Sequence, residues 1–125
     1  MTGYSVTIKN SSKELSAKER IALKDTTYAV KLDEVTQTEA ITIKPGYWAE
    51  LNIHNEKSEN KDYAMYVLVD GETDVKYITG SESFWTSFID IALEMEDEAE
   101  EWAIKVYRMP SKNYKGKEFI TCTIV

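Results

Sequence analysis

A chain of 125 residues, 42% of them apolar, suits one domain with a core of its own, residues 1–125. Charged residues make up 30%, and 22 acids against 15 bases leave a net charge of −7. That balance argues against non-specific attraction to nucleic acid unless the cations are clustered. One cysteine and one histidine exclude an intramolecular disulfide and a four-ligand zinc site.

Met1 to Asn10 lacks a basic and an apolar leader region, so no secretory signal is expected. Within it Tyr4, Val6 and Ile8 alternate as in a strand or an ordered arm. Ser16-Ala17-Lys18-Glu19 is a capping-box pattern, and it predicts a short helix from about Ala17 to Lys24. Thr27 to Val35 alternates Tyr28, Val30 and Leu32, which reads as a strand, and Ala40 to Ile43 as a second. Lys44-Pro45-Gly46-Tyr47 reads as a turn. Tyr47 to Ile53 alternates Tyr47, Ala49, Leu51 and Ile53 against Trp48, Glu50 and Asn52, a half-buried strand. His54 to Asp62 is a polar loop. Tyr63 to Val69 and Val75 to Thr79 form a hairpin about Asp70-Gly71-Glu72.

Ser81 or Ser83 caps the helix expected over Glu82 to Met95. Phe84, Phe88, Ile91, Ala92 and Met95 share one face, and Trp85, Ile89 and Leu93 widen the stripe. The stretch is too short and, with Asp90 and Glu94, too polar to span a bilayer. Acids follow at Glu94, Glu96, Asp97, Glu98, Glu100 and Glu101. Because they oppose the macrodipole at a helix C-terminus, they favour an early end to the helix. Trp102 to Met109 is a strand ended by Pro110, Ser111 to Gly116 a loop, and Lys117 to Val125 a last strand with Ile120, Cys122 and Ile124 on its apolar face.

Several strands, one apolar helix and a closing hairpin match the order of an OB-like five-stranded barrel with a helix between its third and fourth strands. The expected class is therefore mainly β with one or two helices. An α+β sheet is the alternative.

Lys105 to Lys117 carries the chemistry. It holds Lys105, Arg108, Lys112, Lys115 and Lys117 and no acid, with Tyr107 and Tyr114 interleaved. Cations that track phosphates, beside rings that stack on unpaired bases, are what single-stranded nucleic acid needs. The same segment also reads as a solvated hairpin whose lysines keep an exposed edge soluble. Trp48, on the polar phase of its strand, is either a further stacking platform or covered by the N-terminal helix. The acidic run is either a solvated connection or a surface for a basic protein partner.

Catalysis finds little support. His54 is the one candidate base and reads as a loop residue beside Glu56. Gly71, Gly80 and Gly116 are isolated, so there is no phosphate loop, and Cys122 reads as an inert core thiol. No enzyme, cofactor or metal is expected.

Ile104-Lys105-Val106-Tyr107-Arg108-Met109-Pro110-Ser111-Lys112-Asn113-Tyr114-Lys115-Gly116-Lys117-Glu118-Phe119-Ile120-Thr121-Cys122, together with Tyr77-Ile78-Thr79-Gly80-Ser81-Glu82-Ser83-Phe84, resembles small proteins of phages and mobile elements taken to be OB-fold single-stranded DNA-binding proteins. The resemblance covers mainly the C-terminal 50 residues. It departs from bacterial single-stranded DNA-binding proteins in that the acids are internal and the chain ends in a β run. It implies sequence-independent binding of single-stranded DNA in phage or mobile-element replication or recombination. The site residues would be Lys105, Tyr107, Arg108, Lys112, Tyr114, Lys115, Lys117 and Trp48. Cytoplasmic location and a homodimer are further expectations. The alternative is an acidic protein-binding module or nucleic-acid-mimicking inhibitor, of anti-restriction or anti-CRISPR type, acting through Glu94, Glu96, Asp97, Glu98, Glu100 and Glu101.

Overall fold

A computed structural model describes residues 4–57, 61–98, 101–111 and 116–125. The elements run β1 (Tyr4–Ser11), α1 (Ala17–Lys24), β2 (Val30–Lys31), α2 (Leu32–Val35), β3 (Ile41–Ile43), β4 (Pro45–Asn55), β5 (Asp62–Asp70), β6 (Lys76–Thr79), α3 (Glu82–Met95), β7 (Ile104–Pro110) and β8 (Glu118–Ile124). They form a five-stranded sheet of order β1-β4-β5-β6-β2 and a three-stranded sheet of order β3-β7-β8. All pairings are antiparallel except β2 with β6.

The mainly β, mixed α+β class follows from the alternations in the sequence. Among the described residues neither sheet closes into a barrel, and α3 lies between the sixth and seventh strands.

The five-stranded sheet is covered on both faces. Ala49, Leu51, Val67, Val69 and Ile78 face Leu15 and Leu23 from the α1 region. On the opposite face Leu68 joins Phe84, Phe88 and Ala92 of α3, and Ile43, Ile104, Val106, Ile120 and Cys122 of the smaller sheet. Hence β5 is buried from Tyr66 to Asp70, as a central strand with two covered faces must be.

Helix α3 is the joint between the sheets. Ser81 caps it, its Oγ accepting from the Phe84 N–H at 3.2 Å. Its apolar face carries Phe88, which has no exposed surface. The Phe88 ring lies 4.9 Å from Trp48, 5.4 Å from Trp85 and 6.2 Å from Trp102. Removing such a ring costs about 3–5 kcal/mol. The helix also shields the outer edge of β8. Ser83 donates to the Ile120 carbonyl at 3.0 Å, and the hydroxyls of Ser87 and Thr121 lie 3.2 Å apart. An edge tied down in this way is a poor template for another chain.

Local chemistry explains the start of α1. Glu19 N–H donates to Ser16 Oγ at 3.2 Å, and Ser16 N–H to Glu19 Oε1 at 3.0 Å, the reciprocal pair of a capping box.

Three segments differ from what their sequence pattern predicts. Thr27 to Val35 is not one strand: only Val30–Lys31 pair, and Leu32–Val35 turn helical. Asp33 and Glu34 sit in the first turn of α2, where the dipole favours acids, and Thr36 Oγ1 donates to the Leu32 carbonyl at 2.6 Å. Lys44 to Tyr47 is not a turn either. β4 begins at Pro45, with a register shift between Pro45 and Tyr47. There the Gly46 backbone passes so close to Gly71 that a Cβ would sit 2.7 Å from the Gly71 Cα. That close approach, rather than a bend, is what the glycine permits. Third, Ile124 is 46% exposed, so the apolar face of β8 ends at Cys122.

Candidate nucleic-acid interface

The β7–β8 hairpin aligns Lys105 with Thr123, Tyr107 with Thr121, and Met109 with Phe119. Thr42 of β3 lies beside Lys105. Because successive residues point to opposite faces, these seven residues share the face of the small sheet turned away from the core. Ile104, Val106, Ile120 and Cys122, on the other face, are all buried. Lys105, Thr42 and Thr123 are exposed and Tyr107 is half-buried. Met109 and Phe119 remain 42% and 36% exposed. No acid stands on this face. Among the described residues, Lys105 and Lys117 enter no ion pair. Beyond Pro110 the hairpin is closed by the Ser111 N–H donating to the Lys117 carbonyl at 2.8 Å. Gly116 takes φ +82°, a conformation that glycine adopts without strain.

The site residues expected from sequence divide into three groups. Lys105 and Tyr107 share the outer face, and Lys117 is exposed at its hairpin end. Lys112, Tyr114 and Lys115 lie outside the described residues. Arg108 and Trp48 are turned elsewhere. Arg108 is on the inner phase of β7: its Nε donates to Thr36 Oγ1 at 3.2 Å, and a terminal guanidinium nitrogen donates to the Asp33 carbonyl. It therefore caps the short helix α2, where orphan carbonyls and the dipole both favour a cation. Trp48 packs edge-on against Phe88, with Trp102 6.2 Å away. It is neither on the hairpin face nor covered by α1; α3 covers it.

Met109 and Phe119 join this face beyond the site residues expected from sequence, Phe119 being a ring just past the basic segment. The signal was present in the alternation of β8, which sets Phe119 in phase with Thr121 and Thr123 and out of phase with Ile120 and Cys122.

The remaining titratable groups fit supporting roles. Burial pushes the Cys122 thiol up to about 12, so it stays protonated and unreactive. His54 Nδ1 lies 2.8 Å from Asp62 Oδ1, and its Nε2 lies 3.6 Å from Glu56 Oε1. The hydrogen bond to Asp62 raises its pKa above 6.5, against desolvation, with Glu56 adding to the rise. This trio clips the β4–β5 hairpin. Among the described residues, no group of three or more His, Cys, Asp or Glu could hold a metal ion, and no helix is long and apolar enough to cross a membrane.

No family model matches the sequence, and comparison with curated proteins and with solved structures finds no match either.

Proposed function

We propose that the protein binds single-stranded DNA, without sequence preference, on the outer face of the β3-β7-β8 sheet. One observation carries this reading: Lys105, Tyr107, Met109 and Phe119 stand together on an exposed, acid-free sheet face. Rings at the spacing of a β-ladder stack on successive bases, each worth about 1–3 kcal/mol, while ammonium groups follow the backbone. Lys112, Lys115 and Lys117 in the adjoining loop extend the positive strip along the sequence. The resemblance of Ile104–Cys122 to phage-type single-stranded DNA-binding proteins supports the same reading, with a role in phage or mobile-element replication or recombination in the host cytoplasm. An OB-type barrel is not required for it, since an open sheet face offers rings to bases as a barrel groove does.

Titration of fluorescently labelled oligo-dT at a series of salt concentrations tests the proposal. Single strands give a slope of about −0.7 in log K against log salt per phosphate contact, so Lys105, Lys112, Lys115 and Lys117 together predict roughly −3. Tyr107→Ala and Phe119→Ala should each weaken binding by about 1–3 kcal/mol. Absence of binding at low salt, or equal affinity of both variants and the parent, defeats the proposal.

A further inference from the structure

A second surface is built from residues that the hairpin face does not use. Along the side of α3, Trp85, Ile89 and Leu93 recur at i, i+4 and i+8, the spacing of one helix stripe. This stripe is not fully covered. Leu93 is 63% exposed, and Trp85, Ile89 and Met95 are only half-buried. Facing it across a groove are Trp48 and the end of β1 at Ser11. One arm of the groove, about 280 Å³, runs between Trp85, Ile89 and Glu50. The other, about 440 Å³, runs between Leu93, Met95, Trp102 and Glu98. Both arms share Ser11, Trp48 and Ile89, so they adjoin, and tryptophans line each: Trp48 and Trp85 the first, Trp48 and Trp102 the second.

Charge distinguishes the two ends. In the first arm Glu50 is neutralised by Lys9 at 3.3 Å. In the second, Glu96 and Glu98 line the groove, with Glu94 and Asp97 exposed beside them. Among the described residues none of these four acids enters an ion pair. They also stand at the C-terminus of α3, whose last turn holds no basic residue. The helix dipole there adds negative potential and favours a cation. The protein thus keeps its acids where they repel one another and the helix end, next to an apolar floor left open to water. A partner that brings apolar side chains and positive charge together would relieve both costs.

We infer that this groove is the docking site for a short, basic, amphipathic segment of a partner protein. Large apolar side chains would enter between Trp48, Ile89 and Leu93, and Lys or Arg would meet Glu96 and Glu98. The stripe from Trp85 to Met95 is about 15 Å long at 1.5 Å per residue. That length suits about three turns of an amphipathic helix laid into the groove. The groove and the hairpin face share no residue, so this inference stands or falls independently of DNA binding.

The test uses the full chain and an amphipathic Leu/Lys helical peptide with a fluorescent label, with a Leu/Glu peptide of the same pattern and a Lys-rich peptide without an apolar face as controls. Fluorescence anisotropy should show binding of the Leu/Lys peptide alone. Leu93→Ser, at an exposed position that leaves the fold intact, should weaken it on the order of tenfold, the effect of losing one buried leucine contact. The paired change Glu96→Lys with Glu98→Lys should weaken it at least as much, while Lys105→Gln leaves it unchanged. The inference is overturned if Leu93→Ser binds as well as the parent, or if either control peptide binds equally. It is overturned too if the parent binds no peptide but self-associates in a manner that Leu93→Ser abolishes, which would make a second copy the occupant.

Discussion

Arg108→Gln separates the structure from a count of cations. Sequence spacing places Arg108 among five phosphate ligands, whereas its guanidinium donates to Thr36 Oγ1 at 3.2 Å and to the Asp33 carbonyl. A hydrogen bond to a charged group contributes about 1.5–3 kcal/mol. Arg108 is half-buried, and water can take over part of what the side chain gives up. Thr36 also keeps its own bond to the Leu32 carbonyl at 2.6 Å. The expected loss of stability is therefore about 1–2 kcal/mol, read as a lower urea midpoint at constant m. The slope of log K for oligo-dT against log salt should not change. Lys105→Gln should do the reverse: it should reduce the slope by about 0.7 and leave stability within about 0.5 kcal/mol of the parent. If Arg108→Gln reduces the slope as Lys105→Gln does, and the urea midpoint stays in place, Arg108 faces phosphate and its role as a tether of α2 is wrong.

Two further predictions concern carboxylates and pH. The Asp70 side chain accepts from the backbone N–H groups of Lys44 (3.1 Å), Glu72 (2.8 Å) and Thr73 (2.9 Å), so Asp70→Ala should cost about 2–3 kcal/mol by leaving these donors without their acceptor. Burial alone would raise the Asp70 pKa, but the amides of Thr73, Lys44 and Glu72 outweigh it and hold it below the ordinary 3.8. A folded pKa below the unfolded one gives stability that is complete above the unfolded value and is lost as pH falls through the folded value. The acid limb of a urea-midpoint profile should therefore flatten in Asp70→Asn; an unchanged limb would contradict the assignment. His54 works in the opposite sense. Its pKa is raised above 6.5, first by the Asp62 hydrogen bond. Its contribution is thus full below the unfolded value and lost as pH rises through the folded one. Asp62→Asn should remove that loss as pH rises above 6.5, as followed by thermal melting, and no difference between variant and parent would refute the clip.

The elements that were legible in the sequence are those whose ends are fixed by local chemistry. Ser16 with Glu19, and Ser81 ahead of an apolar run, set the starts of α1 and α3 as their patterns required. The β5–β6 hairpin followed from two apolar runs about Asp70-Gly71. Where two readings compete at short range, tertiary contacts decide. Val30 and Leu32 have strand propensity, yet the Arg108 cap, brought in from β7, makes a four-residue helix at Leu32–Val35 worth forming. Trp48 illustrates the other limit. Its position among Glu50 and Asn52 puts it on a polar phase, which leaves open a solvent-facing platform or cover by the N-terminal helix. The sheet it belongs to is covered on both faces near its middle, so that phase turns into core wherever α3 crosses it. Alternation identifies the two faces of a strand but cannot reveal that a helix distant in sequence will cover the second.

The same reasoning applies to charge. A net value of −7 weighs all residues equally, but screening does not. At physiological ionic strength the Debye length is about 8 Å, so a bound strand responds to the groups on and around its own face. Those are Lys105 and Lys117, with the threonines and rings of the small sheet, and one acid, Glu118, exposed at the hairpin end. Four of the 22 acids, Glu94, Glu96, Asp97 and Glu98, are exposed at the C-terminus of α3, and Glu96 and Glu98 line a groove that shares no residue with the hairpin face. A partner read from net charge and a partner read from the hairpin therefore belong to different surfaces of one molecule. The acidic composition counts against DNA only where acids and DNA would share a surface.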